Sequence, residues 1–185
     1  MNKFSILAKW AIRFTFLAIF WSYLEKLLGY HDIKIESQFS FGLIFGIVYI
    51  TVYYLCLNEV FTKIYSNTIN YKSAFKNLAA LTLFIAFLSP FPHLVMHNYI
   101  SPDFFANAIA YKTQIDPKNL EFAKSYFTLK SFVLNGIQVS FSIGILLAAI
   151  LPVFFINRVK KNQDLEPVQT AQPKFNKKGK KIKNK

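Results

Sequence analysis

Cysteine and charged residues are both scarce in this chain. The single cysteine, Cys56, lies inside an apolar run, so neither an internal disulfide nor a cluster of several thiolates can form. Charged residues make up 17% of the 185 positions, whereas a soluble domain usually carries about 25%. These shortages exclude a disulfide-stabilised secreted fold and a thiolate metal cluster, and they argue against an ordinary soluble domain.

Catalytic motifs are also missing. The sequence contains no H-E-x-x-H, no G-x-S-x-G and no glycine-rich phosphate loop, which are the local patterns of zinc peptidases, serine hydrolases and nucleotide-binding proteins. An enzyme therefore has no positive support in the sequence. We expect a protein with neither a catalytic site nor a bound cofactor.

Apolar residues are abundant instead. They account for 54% of the chain, and phenylalanine alone occurs 21 times, which is more apolar surface than one small soluble core can bury. These residues concentrate in four runs, and a helical span needs ~20 residues. The pattern predicts an all-α membrane protein, a four-span transmembrane bundle within residues 1–161, with spans at about 10–28, 39–57, 78–100 and 129–156.

The segment between the third and fourth spans has the pattern of a short amphipathic helix. Ser101 can cap its start, Pro102 fits the first helical position, and Asp103 suits the positive end of the helix dipole. We expect this helix to lie in the membrane interface. A single face of it would carry Phe104, Phe105, Ala108 and Ile109.

Basic residues decide the predicted orientation, because they favour the cytoplasmic side of span ends. With the N-terminus inside, sixteen of the 22 basic residues are cytoplasmic and six are not. The excess comes from the C-terminal segment, where Arg158, Lys160 and Lys161 sit directly at the end of the fourth span. We therefore expect both termini in the cytoplasm.

Residues 162–185 are predicted to be a disordered basic tail, because they are rich in Lys, Gln, Asn and Pro and poor in apolar residues. The seven lysines from Lys174 to Lys185 could attach this tail to the anionic inner leaflet, at ~1 kcal/mol per lysine. Alternatively, the tail is a solvated end that only fixes orientation. Nucleic acid is not an expected partner, because Phe175 is the one aromatic residue available to stack on bases.

Small residues at helical spacing indicate faces where spans approach closely, since lipid offers no hydrophobic drive between helices. The second span carries Gly42 and Gly46 as a G-x-x-x-G pair. These faces serve either packing within one chain or a homodimer. The longer pattern is a ladder in the fourth span, made of Gly136, Ser140, Gly144 and Ala148.

The fourth span also carries a polar stripe of Asn135, Gln138 and Ser142. Polar groups at membrane depth need partners. The stripe therefore predicts either hydrogen bonds between helices or the lining of a water-filled cavity.

Polar residues collect at one end of the predicted bundle, where the first and third spans end and the fourth begins. This grouping follows from four alternating spans and is the same for either orientation. Pro90 and Pro92 break the third span near this end, since proline cannot donate a helical hydrogen bond. The predicted polar cluster consists of Glu25, His31, Asp32, His97, Asp103 and Lys130.

Two features of this end have competing interpretations. Glu25 is either an interfacial residue or a partner of Lys130 across helices. His93 and His97 share a helical face and could hold zinc with a carboxylate, but ordinary hydrogen-bonded histidines fit the same pattern. We expect no metal site.

The same segments resemble a family of small bacterial membrane proteins known as domain of unknown function 4199. The resemblance covers nearly all of the chain before the tail and implies a four-span bundle in the bacterial cytoplasmic membrane, with no known activity. His93 and the basic tail lie outside the shared pattern. The matching pieces are Glu25-Lys26-Leu27-Leu28-Gly29 with His31-Asp32, Leu88-Ser89-Pro90 with His97, Ile100 with Pro102-Asp103-Phe104-Phe105, and Phe127 with Lys130-Ser131.

Three functions are compatible with these observations. The favoured prediction is a non-enzymatic bundle that scaffolds or regulates a membrane partner, itself another membrane protein or a second copy of the chain. The alternative is a small transporter, or a sensor of a ligand or ion, that uses the polar end. A membrane-embedded enzyme is the third, and no motif supports it.

Overall fold

The computed structural model describes the backbone of residues 2–165 and the side chains of residues 2–159. Every regular element in this part of the chain is helical. Short 3-10 turns precede α2 and α7, and a π-helical turn, Met96–Ile100, follows α5. The α-helices are α1 Lys3–Leu27, α2 Gln38–Gly42, α3 Phe45–Lys63, α4 Tyr71–Leu88, α5 Pro90–Val95, α6 Phe104–Ile115, α7 Leu120–Tyr126 and α8 Leu129–Leu165.

Four stretches are long and apolar enough to cross a membrane, so the predicted four-span helical architecture is confirmed. They are Lys3–Leu27, Ile35–Lys63, Tyr71–Ile100 and Leu129–Val159. Large apolar side chains such as Phe87 and Phe154 are exposed on their outer faces, where lipid is the natural solvent. The chain is a multi-pass membrane protein.

The spans alternate in direction and define two ends of the bundle. The end at which α1 ends and α8 begins is called the distal end. The end at which α1 begins is called the terminal end. The amphipathic helix α6 and the short α7 connect the third and fourth spans at the distal end. Residues 166–185, which hold most of the predicted basic tail, lie outside the described residues.

The main core fills the terminal half of the bundle. α4 packs most extensively against α8 and also contacts α1 and α3. Side chains from all four helices are buried there, and a second, smaller apolar cluster lies at the distal end. The main core includes Leu7 and Ala11 of α1, Tyr53 and Leu57 of α3, Leu78 and Leu81 of α4, and Ala148 and Phe155 of α8.

The prolines end α4 at Leu88, and α5 begins at Pro90. Ser89, which joins the two helices, keeps helical dihedrals. Pro90 has no N–H to donate to the Ala86 carbonyl, as a helical residue at this position would. The carbonyl instead accepts a hydrogen bond from the Ser89 hydroxyl at 2.9 Å. This local replacement explains why the helix break is tolerated at membrane depth.

Helix α6 buries Phe104, Phe105 and Ala108 on one face, as the spacing predicted. Its start differs from the prediction. Ser101 does not cap the helix with its side chain; instead its carbonyl accepts the Phe104 N–H at 3.1 Å. The Ser101 hydroxyl is buried and lacks a partner among the described residues.

Candidate functional site

A buried pair of polar side chains joins α1 to the loop that follows it. His31 Nε2 lies 3.3 Å from Glu25 Oε2, and both residues are buried, with 1% of His31 and 6% of Glu25 exposed. The other carboxylate oxygen accepts the Trp21 indole N–H at 3.0 Å. Glu25 therefore has a partner on each oxygen. Gly42 lies beside the carboxylate, where a Cβ would make an ordinary contact with Glu25 Oε1 at 3.5 Å.

The tight turn after α1 places His31 over Glu25. Gly29 has a φ of +83°, a conformation that only glycine adopts easily. The Tyr30 N–H then donates to the Glu25 carbonyl at 2.9 Å, which folds the chain back onto α1. Gly29 thus allows the turn, and the turn brings the imidazole of His31 to the carboxylate of Glu25, six residues earlier.

Asp32 lies beside this turn but faces outward. Its carboxylate accepts the backbone N–H of Ile33 at 2.6 Å and the Lys26 ammonium at 3.0 Å. The hydrogen bond from Ile33, followed by the one from Lys26, lowers the pKa of Asp32 below its ordinary value. Because both side chains of the Lys26–Asp32 pair are more than a third exposed, this pair is a surface feature rather than part of the buried cluster.

Aromatic rings connect the two predicted histidines. The His31 ring lies 4.8 Å from Phe104, measured between centroids, and the His97 ring stacks on Phe105 at 5.1 Å. Phe104 and Phe105 also contact Phe132 of α8. The histidine that follows the first span and the one near the end of the third span therefore contact neighbouring rings of α6.

The rest of the predicted cluster lies outside this centre. Asp103 is exposed at the start of α6 and makes no capping hydrogen bond. Lys130 is exposed at the start of α8, so the pairing of Glu25 with Lys130 was wrong: Glu25 binds His31 and Trp21 instead. No group of three His, Cys, Asp or Glu side chains within the described chain could hold a metal ion.

A cleft of about 540 Å³ opens in the distal half of the bundle. Its walls come from α1, α2 and α3 on one side and from the third span and α8 on the other. Most of the lining is apolar, with scattered polar groups. The polar side chains on its wall include Gln38, Ser89, His93, Asn135 and Ser140.

A second cavity of about 760 Å³ lies under the cap formed by α6 and α7. It shares lining residues with the cleft, so the two spaces adjoin. Its lining is richer in charged and amide groups, among them Glu36, Lys112, Asp116 and Asn119. The shared residues are Gln38, Phe39, Tyr126 and Phe132.

The cleft ends at a closed layer in the middle of the bundle. Tyr49 and Ser140 join their hydroxyls at 3.0 Å on its wall. Next toward the terminal end, the Tyr53 hydroxyl bonds Thr82 Oγ1 at 2.9 Å, and both residues are fully buried. Gly144 lies directly against this pair, so the cleft is blind toward the terminal end.

The small residues predicted for packing behave in two ways. The backbone of Gly136 lies against the His93 ring and that of Gly144 against Tyr53 and Thr82, so a Cβ at either glycine would clash. Ser140 and Ala148 of the same ladder are buried. Gly46 differs, since a Cβ there would meet nothing within 4 Å.

The G-x-x-x-G pair therefore marks no close helix contact at its second glycine. α2 ends at Gly42 and α3 begins at Phe45, so the motif straddles a break, and Gly46 lines the cleft. Asn135 of the predicted polar stripe lines the same cleft, whereas Ser142 is exposed.

A polar cluster at the terminal end was not predicted. Glu59 accepts hydrogen bonds from Lys9 at 2.6 Å, from the Trp10 indole at 2.7 Å and from Lys63 at 2.8 Å. Its side chain is only 12% exposed. The sequence contained one usable signal: Glu59 is a carboxylate at an end that is otherwise basic, and it lies four residues before Lys63. Lys9 and Trp10 are hydrogen-bond donors predicted at the same end.

Comparison with known proteins identifies a family. The profile of a family described as Protein of unknown function (DUF4199) matches residues 9–157, which include the second and third spans whole and most of the first and fourth. No curated protein matches the chain, and no solved structure does.

Proposed function

The chain belongs to the DUF4199 family, whose description assigns no activity, and we propose from the distal end that it is a non-enzymatic regulatory protein that binds a ligand within the membrane. The observation that carries this proposal is the blind cleft between α1 and α8. A cleft with a packed floor suits binding, because a bound molecule has no path onward to the terminal end.

Support for a regulatory output comes from the cap. The residues under α6 and α7 line one cavity, and the cleft adjoins it through Gln38, Phe39, Tyr126 and Phe132. A molecule in the cleft therefore touches residues that also support the cap, so occupancy would bias the position of α6 and α7. We propose that this cap meets a membrane protein partner or a second copy of the chain.

The proposal includes the orientation expected from the basic residues. Both termini lie in the cytoplasm of a bacterial cell, the basic tail contacts the anionic inner leaflet, and the distal end faces away from the cytoplasm. Nucleic acid, metal and cofactors have no role in it.

One-sided access tests the binding function. In a Cys56→Ala background, Asn135→Cys places a single thiol on the cleft wall, and Leu134→Cys places the control thiol at an exposed apolar position on the preceding residue. A membrane-impermeant thiol reagent should label Asn135→Cys from the distal side of sealed vesicles and not from the terminal side. Leu134→Cys should stay unlabelled from both sides.

A small transporter is the second candidate function, favoured by the polar groups on the cleft wall. Transport requires the site to open to each side in turn. Labelling of Asn135→Cys from both sides would support transport and remove the proposed binding-only role.

A further inference from the structure

We propose that the cleft and the cavity under the cap form one binding site for a single-chain amphiphile with a zwitterionic head. The chain of the amphiphile lies in the cleft, and the head lies under α6 and α7. This inference rests on the proposed binding function and names the chemical class of its ligand.

The arrangement of the two spaces matches an amphiphile. The cleft is inside the membrane-spanning part, between Phe14 and Tyr49 at its floor and Phe39 near its mouth. The other cavity lies beside the interfacial helix α6 and the connection that follows it. Four residues line both spaces, so the two spaces are neighbours. A single molecule that passes these residues would have one part at membrane depth and one part under α6 and α7.

The size and lining of the cleft favour one hydrocarbon chain. Its volume of about 540 Å³ is within the range of about 300–1,000 Å³ found for small-molecule sites. Apolar residues of α1, α3 and α8 form most of its wall, including Phe14, Phe45 and Ile143. The closed layer at Tyr53 and Thr82 fixes how far a chain can enter, so the site has a defined depth.

The charges under the cap favour a zwitterionic head. Lys112 lines that cavity together with the carboxylates Glu36 and Asp116. An anionic head would meet two carboxylates for one ammonium, and a cationic head would leave Lys112 unmatched. A head with one charge of each sign can find an opposite charge on the wall for both, and the Gln38 amide also lines this cavity.

Gly46 provides a sharp test, because it lines the cleft and has open space where a side chain would start. Gly46→Phe should fill the cleft without a clash at Cβ, whereas Gly46→Ala adds one methyl group and leaves most of the space. Both changes remove a glycine from α3, so both gain helix propensity. The pair therefore separates occupation of the cleft from effects on the helix.

The experiment measures binding of lysophosphatidylcholine to the purified full-length protein in detergent by native mass spectrometry. We expect saturable binding to the parent and to Gly46→Ala, and at least tenfold weaker binding to Gly46→Phe, with thermal stability of both variants equal to or above that of the parent. Equal binding by all three proteins would identify the lipid as annular and overturn the proposal.

The head group is tested with a fatty acid and an alkyltrimethylammonium of the same chain length. Both should bind less tightly than the zwitterion. Lys112→Ala should reduce the difference in affinity between the zwitterion and the cation. Tighter binding of either singly charged amphiphile would overturn the head assignment. One-sided labelling of Asn135→Cys with no amphiphile binding would leave the binding function standing and sink only this ligand class.

Discussion

The hydroxyl groups of Tyr53 and Thr82 bond each other at 2.9 Å in the middle of the bundle, and the backbone of Gly144 lies directly against both side chains. Three helices, α3, α4 and α8, therefore meet at one point where two polar groups satisfy each other. A side chain at position 144 would occupy the place of this hydrogen bond.

Gly144→Leu should strongly destabilise the bundle. The larger side chain must push α8 away from α4 or separate Tyr53 from Thr82, and overpacking of this kind costs about 1–3 kcal/mol or more. The measurement is thermal unfolding in detergent. Ile150→Leu on the same helix conserves volume at an exposed position and serves as the control. Equal stability of the two variants would show that Gly144 makes no close contact.

The Glu25–His31 pair should contribute more stability than the nearby Lys26–Asp32 pair. His31→Ala removes one hydrogen-bond partner of a nearly fully buried carboxyl group. Leaving a buried polar group without its partner costs about 1–3 kcal/mol, and the remaining Trp21 hydrogen bond should reduce this loss. Lys26→Ala breaks a pair of exposed side chains, which is worth about 0–1 kcal/mol. Chemical denaturation in mild detergent compares the two, and a larger effect of Lys26→Ala would contradict the assigned burial.

Glu59 should anchor the terminal end. Glu59→Gln removes the charge that Lys9, Trp10 and Lys63 share, and hydrogen bonds to charged groups contribute about 1.5–3 kcal/mol each. We therefore expect a clear drop in unfolding temperature. Glu36→Gln changes an exposed carboxylate at the distal end and is the matched control. Equal unfolding temperatures of the two variants would show that the Glu59 cluster does not stabilise the bundle.

The orientation prediction concerns both ends of the chain. Arg158 lies at the end of the fourth span, and the lysines beyond it add positive charge on the same side, which favours the cytoplasm. A reporter that works only in the cytoplasm should be active when fused after Lys185. Activity of a reporter restricted to the opposite compartment would reverse the orientation.

The basic tail should bind anionic lipid. A peptide of residues 162–185 is expected to bind vesicles that contain anionic lipid, to ignore neutral vesicles and to dissociate as salt rises, because each lysine contributes ~1 kcal/mol near the surface and salt screens the attraction. Equal binding to both kinds of vesicle would rule out the electrostatic attachment. The tail would then serve only to hold the C-terminus in the cytoplasm.

The sequence alone was sufficient to predict the number and kind of spans, the break at Pro90 and the apolar face of α6. Each of these depends on local properties: the length of an apolar run, the missing N–H of proline, or the spacing of Phe104 and Phe105. The gathering of His31 and His97 toward one end was also predictable, because alternating spans leave no other place for them.

The partners of individual side chains needed the tertiary structure. Glu25 binds His31 rather than Lys130, Glu59 binds Lys9 and Trp10, and Gly46 opens onto a cleft while Gly144 is pressed against α3 and α4. These outcomes depend on how each helix is rotated about its axis. In a membrane protein the residues facing lipid and the residues facing the core are both apolar, so hydropathy carries little information about that rotation, and only the packed bundle decides it.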